Sequence, residues 1–275
     1  MIDLRGKRTL ITGASSGIGR ALAFEFTRRG AVVVMAARRL STLEEAAGEI
    51  TRSFGSGASP LVVTCDVTQK ASVRRLIKVC ARHLGGLDIL VNNAGGGVYG
   101  ETERTSLEDF RSVMEVNYFG ALNCLFEALP LLRTAGKGLI VNVASVAAKH
   151  GVPYLAAYGA SKAALASVSQ SLRAELCGTG ISVMVVYPGY TETDFFAREK
   201  KVGGAVRPRG PYAPAPKVAR SIVDAVEREK TELVLSWEGK ALSLFQRFFP
   251  RLVDKAVARL AGSLRETEEV VREQT

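Results

Sequence analysis

Along most of this 275-residue chain, short unbroken apolar runs alternate with stretches whose apolar residues recur every three or four positions. Thr9-Leu10-Ile11, Ala31 to Met35, Leu61-Val62-Val63-Thr64, Ile89-Leu90-Val91, Leu139 to Val143, Ser182 to Val186 and Leu233-Val234-Leu235 have the length and composition of strands. Unbroken apolar character, rather than alternation, is what a strand covered on both faces requires. Between these runs lie helical patterns. Ala21, Leu22, Phe24 and Phe26 lead to a stop at Gly30, and Ser41 to Phe54 follows the second run. Val73, Leu76, Ile77, Cys80 and Leu84 fall at offsets of 0, 3, 4, 7 and 11, one face of a helix. Ser106-x-x-Asp109 has the form of a capping box opening a long helix that carries Asn117 toward Leu132. Tyr154 to Leu176 and Val218 to Arg228 complete the set. Regular strand and helix alternation predicts an α/β fold: one Rossmann-type, doubly wound parallel sheet of about seven strands with helices on both faces. The expected single domain spans 1–275, with its core at about 6–235.

The pattern fails after Pro188-Gly189. Pro208, Pro211, Pro214 and Pro216 interrupt any long helix, and a loop of that length in a compact domain is expected to act as a lid, at about 190–216. A helical extension over 237–275 carries Leu242, Leu244, Phe245, Phe248, Phe249 and Leu252. Such a segment suits a pocket edge, a subunit interface or a membrane surface, with self-association or the pocket edge preferred.

Composition narrows the class without naming it. Hydrophobic residues at 47% and charged residues at 23% describe a globular protein. No run spans a bilayer and no signal peptide precedes Thr9, so a cytoplasmic location with no transmembrane segment is expected. The net charge is +10, and from Arg198 to Lys217 six basic residues (Arg198, Lys200, Lys201, Arg207, Arg209, Lys217) face only Glu199, which predicts a solvated basic lid. Charge alone does not imply nucleic acid, and no nucleic-acid module is present in the sequence. Cys65, Cys80, Cys124 and Cys177 lack metal-ligand spacing and read as reduced packing residues; His83 and His150 have no nearby cysteine, so no metal site is expected.

Three stretches carry candidate chemistry. Thr12-Gly13-Ala14-Ser15-Ser16-Gly17-Ile18-Gly19 is a glycine-rich turn between the first strand and its helix. Unpaired N–H groups and the positive dipole end of such a helix suit a diphosphate. The spacing differs from Gly-x-Gly-x-x-Gly, which points to a variant dinucleotide fold. At the end of the second strand, Ala36-Ala37-Arg38-Arg39 offers no carboxylate to ribose hydroxyls, whereas a guanidinium suits a 2′-phosphate, so NADP(H) is expected rather than NAD. Tyr158 and Lys162, four apart on a helix, share a face roughly 6 Å apart along the axis. An ammonium there would draw the phenol toward neutral pKa.

With Asn92-Asn93-Ala94-Gly95, Asn117, Ser145 thirteen residues before Tyr158, and Pro188-Gly189 with Thr193, these motifs make the chain resemble the short-chain dehydrogenase/reductase family over about residues 6–235. The resemblance implies an NADP(H)-dependent oxidoreductase acting on a small-molecule carbonyl or alcohol. Tyr158 would be the general acid and base, Lys162 would lower its pKa and hold the nicotinamide ribose, Ser145 would hold the substrate oxygen, and Asn117 would anchor a water leading from Lys162 to solvent. For the cofactor the resemblance implies Gly13, Ser15, Ser16, Gly17, Ile18 and Gly19 at the phosphates, with Arg38 and Arg39 at the 2′-phosphate. It also implies Asp66 and Val67 at the adenine, Asn93 with Ala94 and Gly95 beside the adenosine half, and Pro188, Gly189, Thr191 and Thr193 near the nicotinamide. Ala144 stands where many members have a second serine. Val146, Tyr154, Tyr187 and the lid are expected around the substrate, and a homodimer or homotetramer is implied. The alternative is a non-catalytic NADP-binding regulator on the same fold.

Overall fold

A computed structural model of the chain describes residues 1–195, 199–204, 206–207, 212–236, 245 and 248–264. Strands β1 (Arg8–Thr12), β2 (Val32–Ala37) and β3 (Leu61–Thr64) alternate with helices α1 (Gly17–Arg28), α2 (Leu40–Phe54) and α3 (Lys70–Leu84). The chain continues through β4 (Ile89–Asn92), β5 (Val98–Gly100), α4 (Leu107–Met114), α5 (Gly120–Thr134), β6 (Gly138–Val143), α6 (Ala156–Glu175) and β7 (Ile181–Tyr187). Short strands β8 (Thr191–Glu192), β9 (Lys200–Val202) and β10 (Ala213–Pro214) precede α7 (Ala215–Glu227), β11 (Glu232–Val234) and α8 (Pro250–Ser263).

Seven strands form one parallel sheet in the order β11-β7-β6-β4-β1-β2-β3. The order reverses between β1 and β4, and in such sheets the crevice at that reversal, beyond the carboxyl strand ends, is the ligand position. Leu10 and Ile11 show why the strands are apolar throughout. Neighbours along β1, both fully buried, they face opposite sides of the sheet. Ile11, Met35, Val91 and Val141 pack with Leu22 and Phe26 of α1, Leu43 of α2 and Ile222 of α7. Leu10, Val34, Leu90 and Ile140 pack with Leu76 of α3, Leu125 of α5 and Leu176 after α6. Each fully buried aliphatic side chain of this kind contributes about 1.5–3 kcal/mol.

Two predicted helices differ in the structure. The one from Ser106 begins as expected, the Ser106 hydroxyl accepting from the Asp109 amide at 3.1 Å. It does not run straight to Leu132: Glu115–Phe119 forms a π-turn between α4 and α5, and Asn117 lies in it. Such turns shift the backbone acceptor by one residue and re-aim the side chains they carry. The helix expected from Tyr154 begins at Ala156, because Tyr154 has φ of 64° and lies outside any right-handed helix.

The predicted lid is not devoid of order. β8 pairs with β10, and β9 pairs with β5. Among the described residues no helix is long and apolar enough to cross a membrane. Trp237, Leu242 and Leu244 of the predicted C-terminal extension lie outside the described residues, as does Arg209 of the lid.

Candidate active site

Thr12, the last residue of β1, fastens the two strands at the reversal. Its hydroxyl accepts from the amides of Asn93 and Ala94, both at 3.1 Å, and donates to the Val91 carbonyl at 3.3 Å. The Asn93 side-chain amide returns the contact, donating to the carbonyls of Thr12 at 3.0 Å and Gly13 at 3.2 Å. Asn93 therefore spends its donors on joining the first turn to the end of β4. Glycine is obligatory here. A Cβ on Gly19 would sit 2.3 Å from the Gly13 carbonyl oxygen and 2.4 Å from Asn93 Nδ2, and Gly13 itself adopts φ of +65°.

Beyond this floor lies a cavity of about 440 Å³. Every cofactor residue expected from the sequence lines it except Gly19, which packs beneath it; of the four candidate catalytic residues Ser145, Tyr158 and Lys162 line it and Asn117 does not. The α1 N-terminus opens onto one end, with no acidic side chain in its first turn to oppose an anion. Arg38 and Arg39 are exposed at the rim, and an Arg39 Nη2 lies 3.5 Å from Ser15 Oγ. The Asp66 carboxylate is oriented by the Thr68 amide at 3.0 Å and hydroxyl at 2.8 Å. A glycine cradle and a helix N-terminus free of acids fit a dinucleotide diphosphate, with two exposed guanidiniums at the rim.

At the other end, α6 presents Tyr158 and Lys162 one turn apart, with Ser145 supplied from the end of β6. Lys162 is 4% exposed, and its ammonium donates to the Val143 carbonyl at 2.8 Å. Burial lowers its pKa to about 8. The ammonium lies 5.9 Å from the centre of the Tyr158 ring, yet the tyrosine is not drawn toward neutrality. Burial pushes it up to about 12, against a smaller opposing effect from the Ser145 hydroxyl and then from Arg207. The sequence expectation of a near-neutral phenol is thus reversed, because desolvation outweighs the lowering effects of Ser145 and Arg207.

Asn117 acts one layer behind. Its Oδ1 accepts from the Gly96 amide at 2.8 Å, and its Nδ2 donates to the Gly96 carbonyl at 2.9 Å and the Ser161 hydroxyl at 2.8 Å. Ser161 donates onward to the Tyr158 carbonyl at 2.7 Å. The side chain so clamps the Gly95-Gly96 loop to the turn of α6 bearing the tyrosine. The expected water anchor is not a free amide, since this side chain has both ends engaged.

The substrate end departs from expectation in two aromatic residues. Tyr154 turns away from the cavity into a cluster with Tyr99 and Leu264, donating to the Ala261 carbonyl at 2.9 Å, and Tyr187 is 1% exposed with Lys149 Nζ 3.9 Å over its ring. Val146 and, from the predicted lid, Tyr190 and Phe195 line the cavity as expected; so do Val152 and Leu155, which the sequence did not single out. The Phe195 ring centre is 5.5 Å from that of Tyr158. Within the predicted lid, nothing in local sequence marks Phe195 beyond its place two residues after Thr193. Arg207 is a further correction: instead of a solvated lid cation it stacks over Tyr99 at 4.3 Å and forms an ion pair with the buried Glu199.

The family model described as short chain dehydrogenase matches residues 7–202. An Arabidopsis thaliana protein named 11-beta-hydroxysteroid dehydrogenase 1A is 38% identical over 268 residues, covering 92% of this chain and 74% of its own. Among solved structures, a short chain dehydrogenase/reductase from Burkholderia phymatum in complex with NAD superposes with a TM-score of 0.82 at 25% identity, over 92% of this chain and 96% of that one. A short chain dehydrogenase from Burkholderia cenocepacia in complex with NADP gives 0.79 at 25% identity, over 93% and 99%. With the family model matched over residues 7–202 and a relative 38% identical over most of both chains, the chain belongs to the short-chain dehydrogenase/reductase family.

Proposed function

We propose that this oxidoreductase is NADP(H)-dependent and interconverts a carbonyl compound and the corresponding secondary alcohol, with Tyr158 as the proton-transferring group. The observation that carries the reading is the shared cavity: Ser145, Tyr158 and Lys162 converge at one end of a space whose other end holds the α1 N-terminus and Arg38. A bound nicotinamide supplies or accepts the hydride.

Tyr158 passes its phenolic proton to the substrate oxygen in reduction and takes it back in oxidation. Burial holds the phenol near 12, so its proton transfer depends on the hydrogen bond and cationic charge beside it. Lys162, buried with its ammonium fixed on the Val143 carbonyl and 5.9 Å from the Tyr158 ring centre, is a cation beside the phenol, with Arg207 a second, and is also the donor suited to the nicotinamide ribose. Ser145 positions the substrate oxygen and favours the charge that develops on it. Val146, Val152, Leu155 and Phe195 give the substrate an apolar wall, which suits a small or medium apolar carbonyl. Arg38 and Arg39, with no carboxylate at the end of β2, favour NADP(H) over NAD(H).

The test joins turnover to binding. Tyr158→Phe lowers turnover of a ketone and aldehyde panel by roughly 10²–10⁴-fold while NADPH affinity stays within a few-fold. If wild type turns over none of the panel yet binds NADPH, the protein is a cofactor-binding regulator. Equal affinity for NADPH and NADH removes the role given to Arg38.

A further inference from the structure

We propose that the outer face of α8, with the aromatic residues leading into it, docks on membranes that carry anionic lipid. The family-model match ends at residue 202, so this element lies beyond it. Its inner face is accounted for. Val253 and Leu264 are buried, the Ala261 carbonyl accepts from Tyr154, and the Leu264 carbonyl accepts from the Val206 amide at 2.9 Å.

The outer face is apolar without cover among the described residues. Phe245, Phe248, Phe249, Leu252 and Leu260 are between 42% and 65% exposed, and the rings of Phe245 and Phe249 lie 6.2 Å apart. Five of the large exposed apolar side chains thus sit in one short stretch, the arrangement that marks an interaction surface rather than scattered surface residues. Three of its four charges are basic and share one arc. At about 100° per residue, Arg251, Lys255 and Arg259 fall within about 100° of Leu252 on the side away from buried Val253, and Asp254 lies about 60° beyond Arg251, at the edge of that arc. All four are exposed. Cations flanking an exposed aromatic and leucine stripe match a helix lying in the plane of an interface, with rings in the acyl boundary and basic side chains at the phosphates. At 14 residues α8 is too short to span a bilayer.

A second copy of the chain fits this face less well. A two-fold contact would set the same three cations against their own images, whereas anionic headgroups complement them. The inner face of α8 is the one turned toward the cavity: Tyr154, held to Ala261, is followed directly by Leu155 of the cavity wall, so a membrane on the outer face is separated from the site by the helix itself.

The experiment is flotation of the full chain with vesicles of phosphatidylcholine alone and of phosphatidylcholine mixed with phosphatidylglycerol. We expect binding to the mixed vesicles, weaker by roughly tenfold or more on neutral vesicles and in high salt. Phe248→Ser with Leu252→Ser should weaken binding to the mixed vesicles by a similar factor. The triple variant Arg251→Gln, Lys255→Gln, Arg259→Gln keeps every apolar contact of the helix and should abolish the preference for anionic vesicles. Absence of binding to either vesicle, or equal binding by the triple variant and wild type, overturns the proposal. So does a wild-type dimer in sedimentation equilibrium that the double serine variant dissociates, which assigns the face to a second copy.

Discussion

The floor of the cavity and its outer wall are built by different means. The floor is held at the carboxyl ends of β1 and β4, where Thr12 and Asn93 exchange bonds with backbone groups that the sheet already fixes. The outer wall joins pieces that no main sheet connects: Tyr99 to the Val206 carbonyl at 2.9 Å, Tyr154 to Ala261, Arg207 to Glu199, and three residues of β9 against β5. The floor inherits its rigidity from the core. The wall depends on a few side chains, so it is the part able to open or to vary without disturbing the fold.

The sharpest way to break that contrast is at Glu199. Glu199→Gln leaves the Arg207 guanidinium without its carboxylate in a mostly desolvated position and should cost about 3 kcal/mol of local stability. Because the wall opens on its own, the loss appears as roughly 100-fold faster hydrogen exchange at the amides of Lys200 to Val202, with the thermal midpoint of the sheet nearly unchanged. A large fall in that midpoint would show that the wall and the core unfold as one unit.

Lys162 tests the deep end of the floor. Its pKa is lowered from 10.5 to about 8 by burial, so the unfolded chain binds the extra proton between those values and wild-type stability rises as pH increases through that window. The gain is about 3 kcal/mol, fully withheld below pH 8 and fully restored above 10.5. Urea unfolding across that range should show the rise in wild type and not in Lys162→Met; parallel curves would mean that the ammonium is solvated. A smaller effect is expected at Thr12. Thr12→Val removes the acceptor of two amides and should cost about 2 kcal/mol, lowering the global midpoint together with cofactor affinity.

These regions were unequally legible in the sequence. The floor could be read because its chemistry is local: a turn and the first residues of a helix are contiguous, and the strand positions follow from unbroken apolar runs. Asn117 was legible as a residue but not as a clamp, since the π-turn that aims it at Gly96 has no hydrophobic period of its own. Tyr154 was assigned to a helix because its neighbours are good helix formers, but its side chain is claimed by Tyr99, Leu264 and the Ala261 carbonyl, and that tertiary packing holds φ at 64°. Phe195 was expected only as part of the lid and Leu155 not at all, because a cavity wall is defined by what lies opposite.

The sequence by itself determined the doubly wound architecture and singled out Ser145, Tyr158 and Lys162 as candidates, since each follows from local periodicity or from motifs of short span; where the strand order reverses came with the assembled sheet. Only the tertiary structure decided the electrostatics and the outer wall. Whether Tyr158 sits below or above its ordinary pKa depends on how fully the assembled protein strips water from it, and whether Arg207 faces solvent or Glu199 depends on segments that meet only once the sheet has formed.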